Sequence, residues 1–218
     1  MTSSVAPTFS DPAPAQSPAW RPTIDAYEPT LARAATAAAR FVASMTSGES
    51  GHWLTLAGPV GCGKTMLARQ IFAEAKKHNT AGNASIYVRS KWDEADRRPG
   101  CVWFDVMTFA KRMRSGEYDL PEYLARDFIV VMDDLGAERD TSGFIADAMF
   151  RFCNARLGKW TVFTTNLTHT EIAERIDARV ASRLIRDENE AVKITASDYA
   201  LRRIGERTAR VGADNINH

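Results

Sequence analysis

Cysteine is scarce in this sequence, and the few cysteines present are isolated from one another. The chain of 218 residues contains Cys62, Cys101 and Cys153, and no two of them form a Cys-x-x-Cys pair. An odd number of isolated thiols argues against a disulfide framework and against a cysteine zinc site. Such thiols are typical of a reducing compartment, so we expect a cytoplasmic protein whose fold depends on an apolar core.

Long apolar runs and a large net charge are also absent. No apolar stretch approaches the ~20 residues that span a bilayer, and the first residues lack the basic start and apolar stretch of a signal peptide. The formal net charge is +1, so an attraction to nucleic acid has to come from a local patch. We therefore expect no membrane partner.

Proline is scarce beyond residue 30, since six of the nine prolines precede that point. Proline lacks the N–H donor that helices and strands need, so residues 1–30 are predicted to be a disordered N-terminal segment. We expect a folded domain over residues 31–210 and a flexible tail over 211–218. Trp20, Ile24 and Tyr27 have the spacing of one helical face, which predicts a motif that orders on a partner. The alternative is that Trp20 packs against its own domain.

Apolar strand patterns alternate with helical patterns along the rest of the chain. The predicted strands are 53–57, 102–104, 128–132, 160–164 and 191–195. The predicted helices are 31–45, 65–78, 106–114, 144–157 and 168 to about 185. This alternation favours an α/β fold with a parallel five-stranded sheet that is covered by helices on both faces. Residues 79–100 fit neither pattern and are read as a hairpin or a mobile loop.

The most specific motif lies between the first predicted strand and the next helix. Its sequence is Gly58-Pro59-Val60-Gly61-Cys62-Gly63-Lys64-Thr65, which matches the P-loop pattern GxxxxGK[ST]. Backbone N–H groups of such a loop surround phosphates, Lys64 reaches the β- and γ-phosphates, and the Thr65 hydroxyl ligates Mg²⁺. The alternative is a glycine-rich turn with a chance lysine. The nucleotide-binding residues are expected to be Gly58, Pro59, Val60, Gly61, Cys62, Gly63, Lys64, Thr65 and Met66.

Acidic and amide side chains follow two later strands. Asp133 and Asp134 end the apolar run 128–132, and Asn166 follows the run 160–164. A strand that ends in acids delivers carboxylates to the sheet edge beside the phosphates. Asp133 is expected to hold Mg²⁺, mainly through water, and Asp134 to orient or deprotonate the attacking water. Asn166 can position the same water, although it can also be a simple turn residue.

Four arginines recur in the last predicted helix, at the spacing of one helix face. One interpretation is a solvated basic stripe. The other is that one of them is an arginine finger, a side chain that completes the ATP site of a neighbouring subunit. The four are Arg175, Arg179, Arg183 and Arg186.

The order of these motifs resembles the DnaC/IstB group of AAA+ ATPases over roughly residues 35–203. The similar motifs are the P-loop, Asp133-Asp134-Leu135-Gly136, Thr164-Thr165-Asn166, the stretch Arg179-Val180-Ala181-Ser182-Arg183-Leu184, and Asp198-Tyr199. The resemblance implies an AAA+ P-loop NTPase core over residues 31–210 that takes ATP and Mg²⁺. It also implies that Lys64, Asp134, Asn166 and Arg183 are the catalytic residues, with Arg183 the finger and Arg179 the next candidate, and that Thr65 and Asp133 are the metal residues.

Two departures qualify this resemblance. Many AAA+ proteins have Glu where this chain has Asp134, and the shorter side chain predicts slow hydrolysis. We also expect the hydrolysis to depend on an oligomer or on DNA. Only 24 residues follow Ile194, so we expect no C-terminal helical lid, as is common in helicase loaders.

Three functions are compatible with these motifs. The first is a replicative helicase loader that forms an ATP-dependent oligomer, binds single-stranded DNA and delivers a ring helicase. The second is an IstB-like transposition helper that binds duplex DNA. The third, a P-loop small-molecule kinase, is disfavoured by the paired acids and the arginines. For the loader, single-stranded DNA is expected along helix 106–114, which offers Lys111, Arg112 and Arg114 for phosphates and Phe109 for stacking. The alternative for Phe109 is a place in the core. The alternative DNA path is Arg202, Arg203, Arg207 and Arg210.

Overall fold

A parallel sheet forms the centre of the fold. The computed structural model describes residues 20–24, 28–79, 99–137, 143–199 and 202. The strands are β1 (Trp53–Ala57), β2 (Cys101–Asp105), β3 (Ile129–Leu135), β4 (Trp160–Thr165) and β5 (Glu190–Lys193). Their order in the sheet is β2-β3-β4-β1-β5, and each pair of neighbours is parallel. The predicted α/β class and five-stranded parallel sheet are therefore confirmed.

Helices cover both faces of the sheet. One face packs against α1 (Pro29–Ser47) and α2 (Lys64–His78), and the other against α3 (Val106–Arg114), α4 (Leu120–Leu124), α5 (Phe144–Ala155), α6 (His169–Arg175) and α7 (Ala178–Leu184). Successive strand side chains point to opposite faces. In β3, Val130 and Met132 therefore enter one core, while Ile129 and Val131 enter the other. This is why the strand reads as a continuous apolar run.

The first helix begins earlier than predicted. Glu28 is the N-cap of α1, and its carboxylate accepts hydrogen bonds from the N–H groups of Thr30 and Leu31. Pro29 occupies the first turn, where its missing N–H is tolerated. The helix ends at Ser47 and is capped by Gly48, whose φ of 80° suits a residue without Cβ. Residues 29 and 30 therefore belong to the domain and not to the predicted N-terminal segment.

Residues 20–24 form a strap that docks on α2. The Thr23 N–H donates to Gln70 Oε1 (2.7 Å), and Gln70 Nε2 donates back to the Thr23 carbonyl (2.9 Å). Trp20 and Ile24 are half-buried against the core beneath α1 and α2. The alternative in which Trp20 packs on its own domain is therefore the one observed, and the strap is not helical. Residues 1–19, Tyr27, the segment 80–98 and the tail 211–218 lie outside the described residues.

The predicted helix 168–185 is two helices. Its start is confirmed, since the Thr168 hydroxyl accepts from the Glu171 N–H (3.2 Å) and the Glu171 carboxylate accepts from the Thr168 N–H (2.8 Å). However, α6 ends at Arg175, and Asp177 opens α7 as its N-cap by accepting from the Arg179 N–H (2.6 Å). The pattern of apolar residues predicts one continuous helix, but the N-cap at Asp177 starts a second helix within it.

The helix break corrects the prediction that four arginines share one helix face. Arg175 lies on α6, Arg179 and Arg183 lie on α7, and Arg186 lies beyond the end of α7.

Within the described part of the chain, no helix combines the length and apolar character needed to cross a membrane.

Arg156 connects three segments at the opposite end of the sheet from the P-loop. Its side chain is fully buried, and its guanidinium donates to the Leu124 carbonyl (2.9 Å), the Asp127 carbonyl (2.7 Å), Thr161 Oγ1 (3.1 Å) and the Trp160 carbonyl. Burial lowers the pKa of Arg156 to about 10, and the nearby Asp127 carboxylate opposes this shift. The buried charge is therefore stabilised by three carbonyls and one hydroxyl that accept from the guanidinium.

Replacing Arg156 by methionine is expected to lower the free energy of unfolding by about 3–5 kcal/mol, the loss typical of breaking a buried charged network. The carbonyls at the end of α4 and at the start of β4 then lose the guanidinium as a donor. Arg151→Met is the control, because that arginine is partly exposed and pairs with Glu122 at the surface; its loss should be below about 1 kcal/mol. Urea denaturation measures both, and equal losses would contradict the assignment.

Candidate nucleotide-binding site

The carboxyl ends of β1, β3 and β4 meet at one edge of the sheet, and the P-loop lies there. The loop leaves β1 at Gly58, whose N–H donates to the carbonyl of Thr165 at the end of β4 (3.1 Å). It enters α2 at Lys64. The strand–loop–helix context predicted for the motif is therefore present.

The backbone of the loop is suited to an anion. Gly63 is the N-cap of α2 with a φ of 100° and offers no side chain to the first turn. The first N–H groups of a helix have no partner within the helix, and the helix dipole adds positive potential there. Because no side-chain cap bonds to this helix start, these donors could hold phosphate oxygens.

Lys64 places its charge between the loop and β4. The side chain is only 6% exposed, and its ammonium group donates to the carbonyls of Gly58 (2.8 Å) and Pro59 (2.7 Å) and to Asn166 Oδ1 (2.8 Å). Cys62 is buried and its Sγ lies 3.9 Å from the Lys64 ammonium. The cation therefore lies at the centre of the predicted site.

The predicted acids and the amide converge on the same point. The Thr65 hydroxyl donates to Asp133 Oδ1 (3.1 Å). Asn166 Nδ2 donates to Asp134 Oδ1 (3.0 Å), while its own Oδ1 faces the ammonium of Lys64. Asn166 thus bridges the cation and the second carboxylate, and the structure brings together five of the six predicted catalytic and metal residues.

Oxygen ligands for a divalent cation are available at Thr65 and Asp133. A hydroxyl and a carboxylate are ligands that Mg²⁺ accepts, and Mg²⁺ usually completes its shell with water and substrate phosphates. Within the described ranges, no cluster of three or more His, Cys, Asp or Glu side chains could hold a metal alone. The donor set therefore fits a cation that arrives with a phosphate ligand.

No family model and no curated protein matches this chain. Among solved structures, the DnaC helicase loader is 22% identical, with 78% of this chain and 95% of that chain covered at a TM-score of 0.57. DnaI is 22% identical, with coverage of 81% and 87% and a TM-score of 0.59. Domain III of DnaA from Thermotoga maritima is 18% identical, with coverage of 78% and 65% and a TM-score of 0.54.

These neighbours are all AAA+ ATPases. The chain has the AAA+ fold. At these identities the likeness establishes the fold, and the match covers 95% of the solved DnaC chain. The absence of a C-terminal helical lid stays a prediction, because only Tyr199 and Arg202 are described beyond residue 198.

Arg183 lies away from the P-loop residues of this AAA+ domain, on the surface between α5 and α7. Its guanidinium donates to Asn154 Oδ1 (2.7 Å) and stacks over the Phe150 ring (4.4 Å). Arg179 stacks over the same ring (3.9 Å) but also forms an ion pair with Asp177 (2.9 Å). Arg183 has no carboxylate partner among the described residues, so of these two arginines it is the one whose charge is not neutralised by an ion pair.

Two residues that the sequence analysis named only as parts of motifs, Thr164 and Asp198, also contribute to the site. The hydroxyl of Thr164 contacts both predicted acidic residues, and a polar residue late in an apolar strand was the available signal. Asp198 approaches the P-loop so closely that a Cβ on Gly61 would lie 2.1 Å from its carboxylate, and the next N–H, that of Tyr199, donates to the Gly61 carbonyl (3.1 Å). Val60 and Met66 are exposed beside the loop.

The predicted stacking of DNA bases on Phe109 is wrong. Phe109 is fully buried and packs edge-on against Phe104 (centroids 6.2 Å apart) and Phe152 (5.7 Å). A ring in the core offers no face to a base. On the same helix Arg112 forms an ion pair with Glu117, and Lys111 and Arg114 are exposed.

Proposed function

We propose that this AAA+ protein is an ATP-hydrolysing helicase loader that acts in DNA replication. The observation that carries the ATPase is the convergence of Lys64, Asp134 and Asn166 within hydrogen-bonding distance at the carboxyl edge of the sheet. The loader assignment is supported by the similarity to DnaC and DnaI over 95% and 87% of those chains.

The chemistry follows from the groups at that edge. The N–H groups at the start of α2 and the Lys64 ammonium bind the β- and γ-phosphates. Thr65 and Asp133 would hold Mg²⁺, which would neutralise part of the phosphate charge. A water held by Asp134 and Asn166 forms the new bond to the γ-phosphorus and passes its proton to the Asp134 carboxylate. The bond to the β–γ bridging oxygen breaks, and its electron pair leaves with ADP.

Asp134→Asn is expected to keep ATP binding and to lower kcat by roughly 10²–10⁴-fold, the range of general-base catalysis. The amide keeps the shape of the carboxylate but cannot accept the proton. Asp187→Asn is the matched control, because Asp187 is also exposed and also has a positive φ (57°, against 60° for Asp134). Steady-state phosphate release and nucleotide titration separate the two effects; a wild-type kcat in Asp134→Asn would contradict the assignment.

The loader role is tested by what the ATP-bound protein binds. A labelled oligothymidylate of about 30 nucleotides, roughly two site sizes of a typical single-strand binder, is compared with duplex DNA of several times that length. The ring helicase encoded by the same genome is the second probe, in a pull-down with ATP. A loader binds the single strand and captures the helicase. Preference for the long duplex, with no helicase capture, would instead indicate the transposition helper.

A further inference from the structure

The two acidic residues at the end of β3 lie on an irregularity of the sheet. In the parallel pair of β3 and β4, Met132 faces Phe163, and the next paired residues are Leu135 and Thr165. Two residues of β3 therefore lie opposite a single residue of β4. Such bulges are rare in parallel pairs, and they re-aim side chains next to active sites.

Thr164 is the single residue opposite the bulge. Its side chain is 1% exposed, and its hydroxyl donates to Asp133 Oδ1 (2.5 Å) and accepts from the Asp134 N–H (2.8 Å). A hydroxyl has one proton to donate and can accept as well, so both contacts are made at once. One oxygen thus connects the side chain of the first acid to the backbone of the second.

The backbone of Asp134 requires such support. Its φ of 60° lies in the left-handed region, which is unfavourable for residues other than glycine, although aspartate tolerates it better than most. Unusual backbone conformations persist where surrounding contacts hold them. On the other side of β3, Asp105 pairs with Asp133 in regular register, so the irregularity is specific to the strand that carries Thr164.

We propose that Thr164 is a positioning residue that sets the two carboxylates for Mg-ATP. The Thr164 hydroxyl donates to Asp133 Oδ1, the oxygen that also accepts from Thr65, and so orients this carboxylate. The same hydroxyl accepts from the Asp134 N–H, and this bond holds the bulge that directs Asp134 toward Asn166. This inference rests on the proposed ATPase function, and it assigns a role to a buried side chain that acts through Asp133 and Asp134.

Three variants isolate the hydroxyl. Thr164→Val keeps the branched shape and removes the donor and acceptor, and Thr164→Ser keeps both. Thr55→Val is the matched control, because Thr55 is a buried threonine on the adjacent strand β1 whose hydroxyl has no hydrogen-bond partner among the described residues. Thr164→Ala serves in place of the valine variant if that protein does not fold.

The expected result for Thr164→Val is a kcat about 10–100-fold lower, the effect typical of groups that orient metal ligands, and a higher Mg²⁺ concentration for half-maximal activity. ATP affinity measured without Mg²⁺ should not change. In the nucleotide-free protein, amide exchange at Asp134 should accelerate roughly tenfold as its acceptor is lost. Thr164→Ser should restore all three properties, and Thr55→Val should leave them unchanged.

Two results would overturn the inference. The first is a Thr164→Val variant whose kcat, Mg²⁺ requirement and amide exchange equal those of the wild-type protein. The second is a Thr164→Ser variant as impaired as Thr164→Val, which would assign the role to side-chain shape. Failure of the proposed function is distinguishable, because it appears in the wild-type chain as an absence of Mg-ATP binding, and it would remove this inference with it.

Discussion

Replacing Lys64 by methionine is expected to lower the affinity for Mg-ATP by about 100-fold or more and to abolish hydrolysis. A hydrogen bond from a charged donor contributes about 1.5–3 kcal/mol, and each 1.4 kcal/mol is roughly tenfold in affinity. The loss of two such bonds to phosphate accounts for this range. Methionine preserves most of the volume of a side chain that is only 6% exposed, so the loss reports the ammonium group and not a cavity.

The control for Lys64 lies on the same helix. Lys77 is exposed near the end of α2 and pairs with Glu74 at the surface, so Lys77→Met should bind Mg-ATP like the unmodified protein. Titration with a fluorescent ATP analogue measures both variants. Lys64→Ala should lose affinity as well, together with some stability from the cavity that it leaves. Unchanged affinity in Lys64→Met would contradict the P-loop assignment and with it the proposed ATPase.

The parts of the site that were predictable from sequence depend on local spacing. The P-loop, the helix that follows it and the acids at the end of an apolar strand each lie within a few residues of their own signals. Strand alternation then implied a parallel sheet, and a parallel sheet brings its carboxyl ends to one edge. The position of Asn166 beside Lys64 and Asp134 was therefore predictable from the strand pattern alone, before their hydrogen bonds were known.

What the sequence did not reveal depends on partners distant in the chain. The bulge at Asp134 is held by the hydroxyl of Thr164, 30 residues away. Arginine is rarely buried, so Arg156 is expected at the surface unless the segments 124–127 and 160–161 are known to supply acceptors for its guanidinium. The burial of Phe109 was likewise decided by Phe152 on α5. No local pattern contains that information.

Arg183 is expected to act on the ATP site of a neighbouring subunit. An arginine supplied in this way raises the rate of hydrolysis roughly 10³–10⁵-fold. Arg183→Ala should therefore nearly stop hydrolysis, while the variant subunit still binds ATP in its own P-loop. Specific activity of the unmodified protein should rise with protein concentration as the oligomer forms. Arg179→Ala should have a smaller effect, because Asp177 already pairs with that guanidinium, and the hydrogen bond from Arg179 lowers the pKa of Asp177.

Mixing two inactive variants tests whether the arginine acts between subunits. Arg183→Ala subunits retain an intact P-loop, and Lys64→Met subunits retain an intact Arg183, so interfaces that join the two kinds in the productive order should recover activity. Arg186→Ala is the control, since Arg186 is exposed beyond the end of α7, and it should be active alone. If no mixing ratio restores hydrolysis although the subunits co-assemble, Arg183 acts within its own chain or not at all.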